Sequence, residues 1–392
     1  FLRPLIYPQQ KCHAQHGIFY IFVYKKPMPQ LNELIQVLED YAPLHLQESY
    51  DNSGLIVGNR QSVITGALIS LDCTEAVLDE AMAKGCNLII SHHPIVFSGL
   101  KSFTGKNYIE RVIMKAIRND IAIYAAHTNL DNVSAGVNGK MAAKLGLKNI
   151  EILEPKSDTL KKLYVYVPVL HAEAVRNAMF EAGAGSIGEY SSCSYNIEGT
   201  GTFLPSSGAN PFVGQAGELQ LEPETKIEVI FTPDKERQVL SKMFEAHPYE
   251  EVAFGIIQLQ NKNLFIGAGV IGDLPAPVLE VDFLQNLKRT FQSECIRHTA
   301  LPGKLISKVA LCGGSGSFLL SRAIRMKADV FVTADFKYHQ FFDAESHILI
   351  ADIGHYESEQ FTGEIFYEVL SNKFPNFALH LTAINTNPIK YY

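Results

Sequence analysis

Residues 87–99 read NLIISHHPIVFSG, an apolar run that stops at His92, His93 and Pro94. A short run of this kind, Asn87–Ser91, reads as a strand covered on both faces, the type a parallel sheet carries. Such a strand needs no imidazole at its end. The pair therefore marks either a polar loop or a place where something is bound. Pro94 restricts His93 to extended backbone, and successive extended residues point to opposite sides. The two rings can thus serve two different positions flanking one strand end.

On either side of this stretch, strands and helices alternate. Val63–Ser70 is expected as a strand, Thr74–Lys84 as an amphipathic helix, Asn107–Arg118 as a helix and Ile121–Ala126 as a strand. Upstream, Leu31, Leu34, Ile35 and Leu38 recur at helical spacing from Met28. After about Asn263 the alternation resumes with strands Lys308–Cys312, Asp329–Thr333 and Ile348–Ile353. The helices Ser317–Met326, Tyr338–Ser346 and Glu357–Lys373 lie among them. This pattern specifies an α/β layer around a largely parallel sheet.

The intervening region follows another order. Strand Lys162–Val167, helix His171–Ala182, strand Tyr190–Glu198, strand Lys226–Phe231, helix Pro233–Ala246 and strand Val252–Gln260 form a β-α-β-β-α-β series, that of a ferredoxin-like unit. A Gly/Pro/Ser-rich stretch, Gly199–Gly217, joins its two central strands. The expected fold is a discontinuous α/β metal-binding core, residues 28–155 and 264–392, interrupted by an inserted ferredoxin-like domain, 156–263. Residues 1–27 are expected to be an extension outside the fold.

The 392 residues are 47% hydrophobic and 19% charged, with a net charge of -7. This is the balance of a folded soluble protein, and it offers no general attraction to nucleic acid or anionic membrane. Direct nucleic-acid binding is not expected. Six cysteines are scattered without a C-x-x-C pair, so reduced thiols in a cytoplasmic protein are the simplest reading. No apolar run reaches the roughly 18–20 residues of a membrane-spanning helix.

Ligands of open parallel sheets bind beyond the carboxyl ends of strands. Besides His92 and His93, three such ends carry polar residues. Strand 121–126 runs into His127, with Asp131 four residues later. Strand 348–353 runs into His355, with Glu359 four residues later, and a helix beginning there puts both on one face. Strand 329–333 runs into Asp335, Lys337, Tyr338 and His339. Imidazoles with carboxylates suit zinc, iron, manganese and related ions. Two metals flanking the 87–91 strand end, bridged by a carboxylate such as Glu359, would use both adjacent histidines.

The Gly-rich CGGSGS, Cys312–Ser317, lies between a strand and a helix. It is read either as a phosphate-holding set of amides or as a tight turn. GLKSFTGK, Gly99–Lys106, has five residues between its glycines and Asn107 after the lysine, so it is not a P-loop. His45, His171, His298, His347 and His380 are read as surface or packing histidines.

Together, YDNSGLIVG (50–58), ISHHPIVF (90–97), AAHTNLDNVSAGVN (125–138), CGGSGS, VTADFKYHQ (332–340) and DIGHYESE (352–359) resemble the Ngg-interacting-factor-three-like family. Its bacterial members are often called GTP cyclohydrolase 1 type 2 homologues. HPYEEVAFGI (247–256) resembles the extra PII-like or CutA-like domain of the longer members. Tyr50 stands where many relatives carry Trp. The resemblance implies a centre of two divalent metal ions per subunit (zinc, iron or manganese) held by His92, His93, Asp131, His355 and Glu359, with His127 beside them, and a toroidal homohexamer. It implies a metal-dependent hydrolase in which activated water opens a nucleotide ring or small cyclic substrate. In that reading His127 or His339 moves protons, and Lys337 with the amides of Gly313, Gly314 and Ser315 contacts phosphates. The alternative is a non-catalytic metal-handling or regulatory protein with the inserted domain as sensor or gate.

Overall fold

The computed structural model of the chain describes residues 28–188 and 190–392. The expectation for residues 1–27 lies outside them. Up to residue 156 the strands are β1 (Gly54–Val57), β2 (Ala67–Ser70), β3 (Leu88–Ser91), β4 (Ala122–Ala125) and β5 (Lys148–Lys156). Then come β6 (Leu160–Pro168), β7 (Tyr195–Phe203), β8 (Gln220–Phe231) and β9 (Phe254–Leu259). The chain closes with β10 (Asn263–Leu279), β11 (Arg297–His298), β12 (Leu305–Ser315), β13 (Val330–Ala334), β14 (Leu349–Asp352) and β15 (Leu379–Leu381).

Two sheets, not one, carry the α/β pattern. The first has the order β1-β4-β3-β2-β15, parallel from β4 to β15 with β1 antiparallel at one edge. The second has the order β11-β14-β13-β12-β10-β5, and only β12, β13 and β14 run parallel. The two halves interlock: β5 precedes the intervening unit yet joins the second sheet, while β15 returns to the first.

Local chemistry sets the element ends. Thr74 and Asn107 cap the helices Glu75–Ala83 and Tyr108–Arg118 by accepting from the amides of Val77 (3.3 Å) and Glu110 (2.8 Å), which satisfies donors that a helix start leaves free. Those two helices cover one face of the first sheet. Helices Leu31–Tyr41 and Thr362–Lys373 cover the other, burying Leu31, Leu34, Ile35 and Leu38 as their spacing anticipates. Ile89 and Ile90 of β3 are fully buried between these layers, and each such side chain contributes about 1.5–3 kcal/mol. The second sheet is sandwiched in the same way, with Phe283 and Leu287 of helix Glu280–Thr290 on one face and Leu320 and Ala323 of helix Leu320–Arg325 on the other.

The third sheet is wholly antiparallel, in the order β7-β8-β6-β9, with helices Ala172–Glu181 and Glu236–Ala246 packed on it. Part of the expected Gly-rich connection, Gly199–Phe203, is strand, paired with Gln220–Glu224.

The expected helix Glu357–Lys373 is two helices, His355–Glu359 and Thr362–Lys373. Side chains interrupt the ladder between them: the Thr362 hydroxyl donates to the Glu359 carbonyl (2.7 Å), and the Gln360 amide donates to the Phe291 carbonyl (2.7 Å). The segment expected as helix Tyr338–Ser346 is a 3-10 helix, Tyr338–Ala344.

Candidate metal centre

The carboxyl ends of β3 and β4 in the first sheet meet those of β12 and β14 in the second. His92 and His93 follow β3, His127 follows β4, and His355 and Glu359 occupy the short helix after β14. Asp131 ends the helical turn Thr128–Asp131. The interdigitating rings of His92, His93, His127 and His355 have neighbouring centroids 5.0–5.4 Å apart.

Every one of the four rings is held through Nδ1. That of His92 donates to the Ala126 carbonyl (2.9 Å), that of His93 to Asp72 (2.7 Å), that of His127 to Asp51 (2.8 Å) and that of His355 to Asp335 (2.7 Å). Such bonds fix both tautomer and ring orientation, leaving the Nε2 lone pair for a ligand role. The Nε2 atoms point inward. Glu359 Oε2 lies 2.9 Å from that of His93, 3.1 Å from that of His355 and 3.8 Å from that of His92. The Nε2 atoms of His93 and His355 are 3.2 Å apart. Asp131 Oδ1 is 3.6 Å from His92 Nε2, and both atoms are buried with no hydrogen-bond partner among the described residues.

This donor set fits a divalent ion. Bonds of about 2.0–2.1 Å in tetrahedral array set ligand atoms about 3.3 Å apart, within the spread seen here. Two ligand groupings stand out, His92 with His93 and His127, and His93 with His355 and Glu359.

Without a cation the charges are strained against one another. Burial pushes the Asp131 carboxyl well above its ordinary range, and the negative Glu359 adds to this. Burial opposes ionisation of Glu359 too, but His355 and its hydrogen bonds hold that carboxyl well below its ordinary range. Burial lowers His92 to about 4 despite Glu359. His93 overcomes its burial through Asp72 and Glu359 and rises to about 9, and His355 overcomes its own through Glu359 and Asp335 and rises to about 11. A dication among these groups reverses that logic, favouring ionised carboxylates and neutral imidazoles together.

A chamber of about 710 Å³ opens onto the cluster. Tyr50, Phe97, Phe318 and Tyr108 contribute aromatic wall, and Asn132, Asn138 and Ser315 contribute polar atoms.

The five expected ligands and His127 thus come together. Two of the amides expected to contact phosphates are already engaged. The Gly313 amide already donates to Asn138 (2.9 Å) and the Gly314 amide to Ser358 Oγ (2.9 Å), so neither is free for an anion. A Cβ at Gly314, whose φ is +59°, would lie 2.4 Å from Glu359 Oε1 and 3.3 Å from His355 Cε1. The glycine exists so that backbone can pass beneath the cluster. Ser315 does line the chamber, whereas Lys337 and His339 are exposed outside it, with His339 against Tyr338 and Phe342.

Sequence reasoning missed the acids behind the rings, Asp51 and Asp72. Asp72 follows β2 at the same sheet end, so the strand-end rule contained the signal. Asp51 lies within the quoted YDNSG.

The profile of the Duf34/NIF3 family (NGG1p interacting factor 3) matches residues 29–388. A protein of Halalkalibacterium halodurans named GTP cyclohydrolase 1 type 2 homolog is 40% identical over 363 residues, 91% of this chain and 98% of that one. A Bacillus subtilis protein of the same name is 40% identical over 83% of this chain and 87% of its own. A solved Bacillus cereus structure described as related to NIF3 superposes with a TM-score of 0.81 at 38% identity, covering 94% of this chain and all of that one. The clustered histidines and carboxylates thus sit in a chain that matches the profile over nearly all of its described length, and the chain belongs to the Duf34/NIF3 family.

Proposed function

We propose that the cluster is a dinuclear divalent-metal centre and that the protein is a metal-dependent hydrolase of a nucleotide or small cyclic substrate. The observation that carries this is the convergence of the Nε2 atoms of His92, His93 and His355 on Glu359, with Asp131 beside His92 and His127 grouped with the two adjacent histidines, each ring locked from behind through Nδ1. His93, His355 and Glu359 would hold one ion; His92 and Asp131 would hold the other, with Glu359 between them. When bound, the ions supply a water of lowered pKa and a site for developing negative charge. The chain's own contribution is positioning. Asp51 orients His127 so that its Nε2 faces the chamber and can accept a proton. Tyr50, Phe97 and Phe318 offer faces for a planar ring. The GTP cyclohydrolase name of the relatives agrees with such a ring.

The chamber favours catalysis over metal storage, because a storage site is closed by protein ligands and needs no adjoining space. In the same reading residues 156–263 form an inserted ferredoxin-like domain, supported by the β-α-β-β-α-β order and the antiparallel third sheet. The assembly is a homohexamer, as the family resemblance implies.

Metal analysis of the purified protein, followed by a screen of the fully metallated form against GTP and other cyclic substrates, tests the proposal. Wild type should hold about two ions per chain, and the His93→Ala/Glu359→Ala variant should lose them along with turnover. Equal metal in both proteins would refute the centre. Tight metal with no turnover would leave the metal-handling reading in its place.

A further inference from the structure

After β15 the chain does not leave the fold but crosses the mouth of the metal cluster. The Thr382 amide donates to the Ile69 carbonyl (2.9 Å), its hydroxyl bonds Glu80, and the Ala383 amide reaches Glu80 as well (2.9 Å). Thr386 Oγ1 then donates to Asp72 Oδ2 (2.6 Å), and Asn387 Nδ2 donates to Glu357 Oε1 (3.0 Å). Thr386 and Pro388 are part of the chamber wall. Asp72 follows β2 of the first sheet and Glu357 lies in the short helix beyond the second, so the segment ties the two halves of the cluster together.

We propose that Thr386 is a positioning residue for His93, acting through Asp72. This rests on the metal-centre reading above. The two carboxylate oxygens of Asp72 have separate partners: Oδ2 accepts from Thr386 and Oδ1 accepts from His93 Nδ1 at 2.7 Å. A carboxylate held at one oxygen is fixed in rotation about its last bond, and only then is the other oxygen aimed at the ring. The Asp72 side chain is about one-third exposed (32%), and among the described residues the hydrogen bonds that orient its carboxylate are those to His93 and Thr386. Loss of the Thr386 hydroxyl frees the carboxylate to swing towards water and releases the His93 ring, whose Nε2 is central to both ligand groupings. Partners of this kind, one step behind a ligating imidazole, are typically worth 10–100-fold in metal affinity.

The test is titration of the metal-free full chain with Co²⁺, followed by the visible absorption of the bound ion. Thr386→Val keeps the shape and removes the donor; Thr386→Ser restores it without the methyl group. Thr386→Val should weaken at least one Co²⁺ by 10–100-fold and alter its absorption bands, and Thr386→Ser should bind and absorb as wild type does. If Thr386→Val titrates like wild type while His93→Ala loses cobalt, the inference is wrong and the metal centre stands. If Thr386→Ser is as weak as Thr386→Val, the effect is packing and the inference is again wrong. If His93→Ala keeps its cobalt, both readings fall.

Discussion

Substituting Gly314 by alanine should separate the proposed metal cluster from the fold that carries it. The change has two costs. A φ of +59° is left-handed, a conformation that costs a residue with a Cβ about 1–2 kcal/mol. The new methyl would also lie 2.4 Å from Glu359 Oε1, so the carboxylate must retreat by about 1 Å to regain van der Waals separation. Metal sites tolerate departures of only about 0.2 Å in ligand distance, so Glu359 would cease to ligate. Gly85 provides the control, because its φ is +68° and an added Cβ there would meet nothing within 4 Å among the described residues. Gly85→Ala should therefore show the backbone cost alone, a drop in melting temperature of a few degrees (about 2–4 °C per kcal/mol for large domains) with cobalt affinity unchanged. Gly314→Ala should show a similar drop in the metal-free protein and at least a tenfold loss of cobalt affinity, about 1.4 kcal/mol or more. Thermal melts with and without Co²⁺, plus a cobalt titration, give both numbers. Wild-type cobalt affinity in Gly314→Ala would refute the reasoning, since Glu359 would then not be a ligand or its position would not be fixed from below.

Two further outcomes follow from the same structure. Chelation of the metal should destabilise the wild type by about 4 kcal/mol where free metal had stood at 1,000 times its dissociation constant, and the His93→Ala/Glu359→Ala variant should not respond; an equal response would show that the chelator acts elsewhere. Glu110 receives the amides of Thr104, Gly105 and Lys106, and the Thr104 amide, ahead of the opposing effect of burial, lowers its carboxyl from 4.5 to about 2. Its contribution to stability is thus complete above about pH 4.5 and is lost as pH falls through about 2. The melting-temperature gap between wild type and Glu110→Gln should be widest near neutrality and narrow below pH 4.5; a gap constant from pH 7 to pH 3 would contradict this.

The parts of the fold that could be read from the chain are those whose signal is local. β3, β4, β13 and β14 are short, doubly covered strands, and their apolar runs mark them to within one or two residues. β1, β5, β10 and β15 went unseen for a different reason. β10 carries Pro275 and Pro277 and half-exposed positions, and its strand character comes from pairing with β5 and β12. That pairing is tertiary, as is the division of one α/β pattern into two sheets. The candidate ligands were legible because all lie at, or within one helical turn after, the ends of parallel strands, a rule that needs no knowledge of the partner sheet. The Gly-rich loop could not be assigned one role from sequence, because glycine serves equally to expose amides to a phosphate and to let backbone run beneath a carboxylate. Only the neighbours, Asn138, Ser358 and Glu359, distinguish the two uses. Thr386 was invisible for the plainest reason: it lies 314 positions from Asp72.

Lys156 and Asn263 face each other as partners in the β5–β10 ladder. The chain therefore departs for the third sheet and comes back at a single point, and the two strands it leaves from are hydrogen-bonded to each other. Ala268 and Gly269, in the chamber wall, lie five and six residues further along β10, but an irregularity between Asn263 and Gly267 takes up most of that length, so Ala268 pairs with Glu154, only two residues before Lys156, about 7 Å at the rise of a strand. The third sheet thus hangs from a short, irregular ribbon whose root lies within about two pairing positions of the chamber wall. The attachment of that sheet and the chamber wall therefore share one stretch of backbone, and the His45–Asp234 contact (3.7 Å) is a second link between the third sheet's side and the first half of the chain.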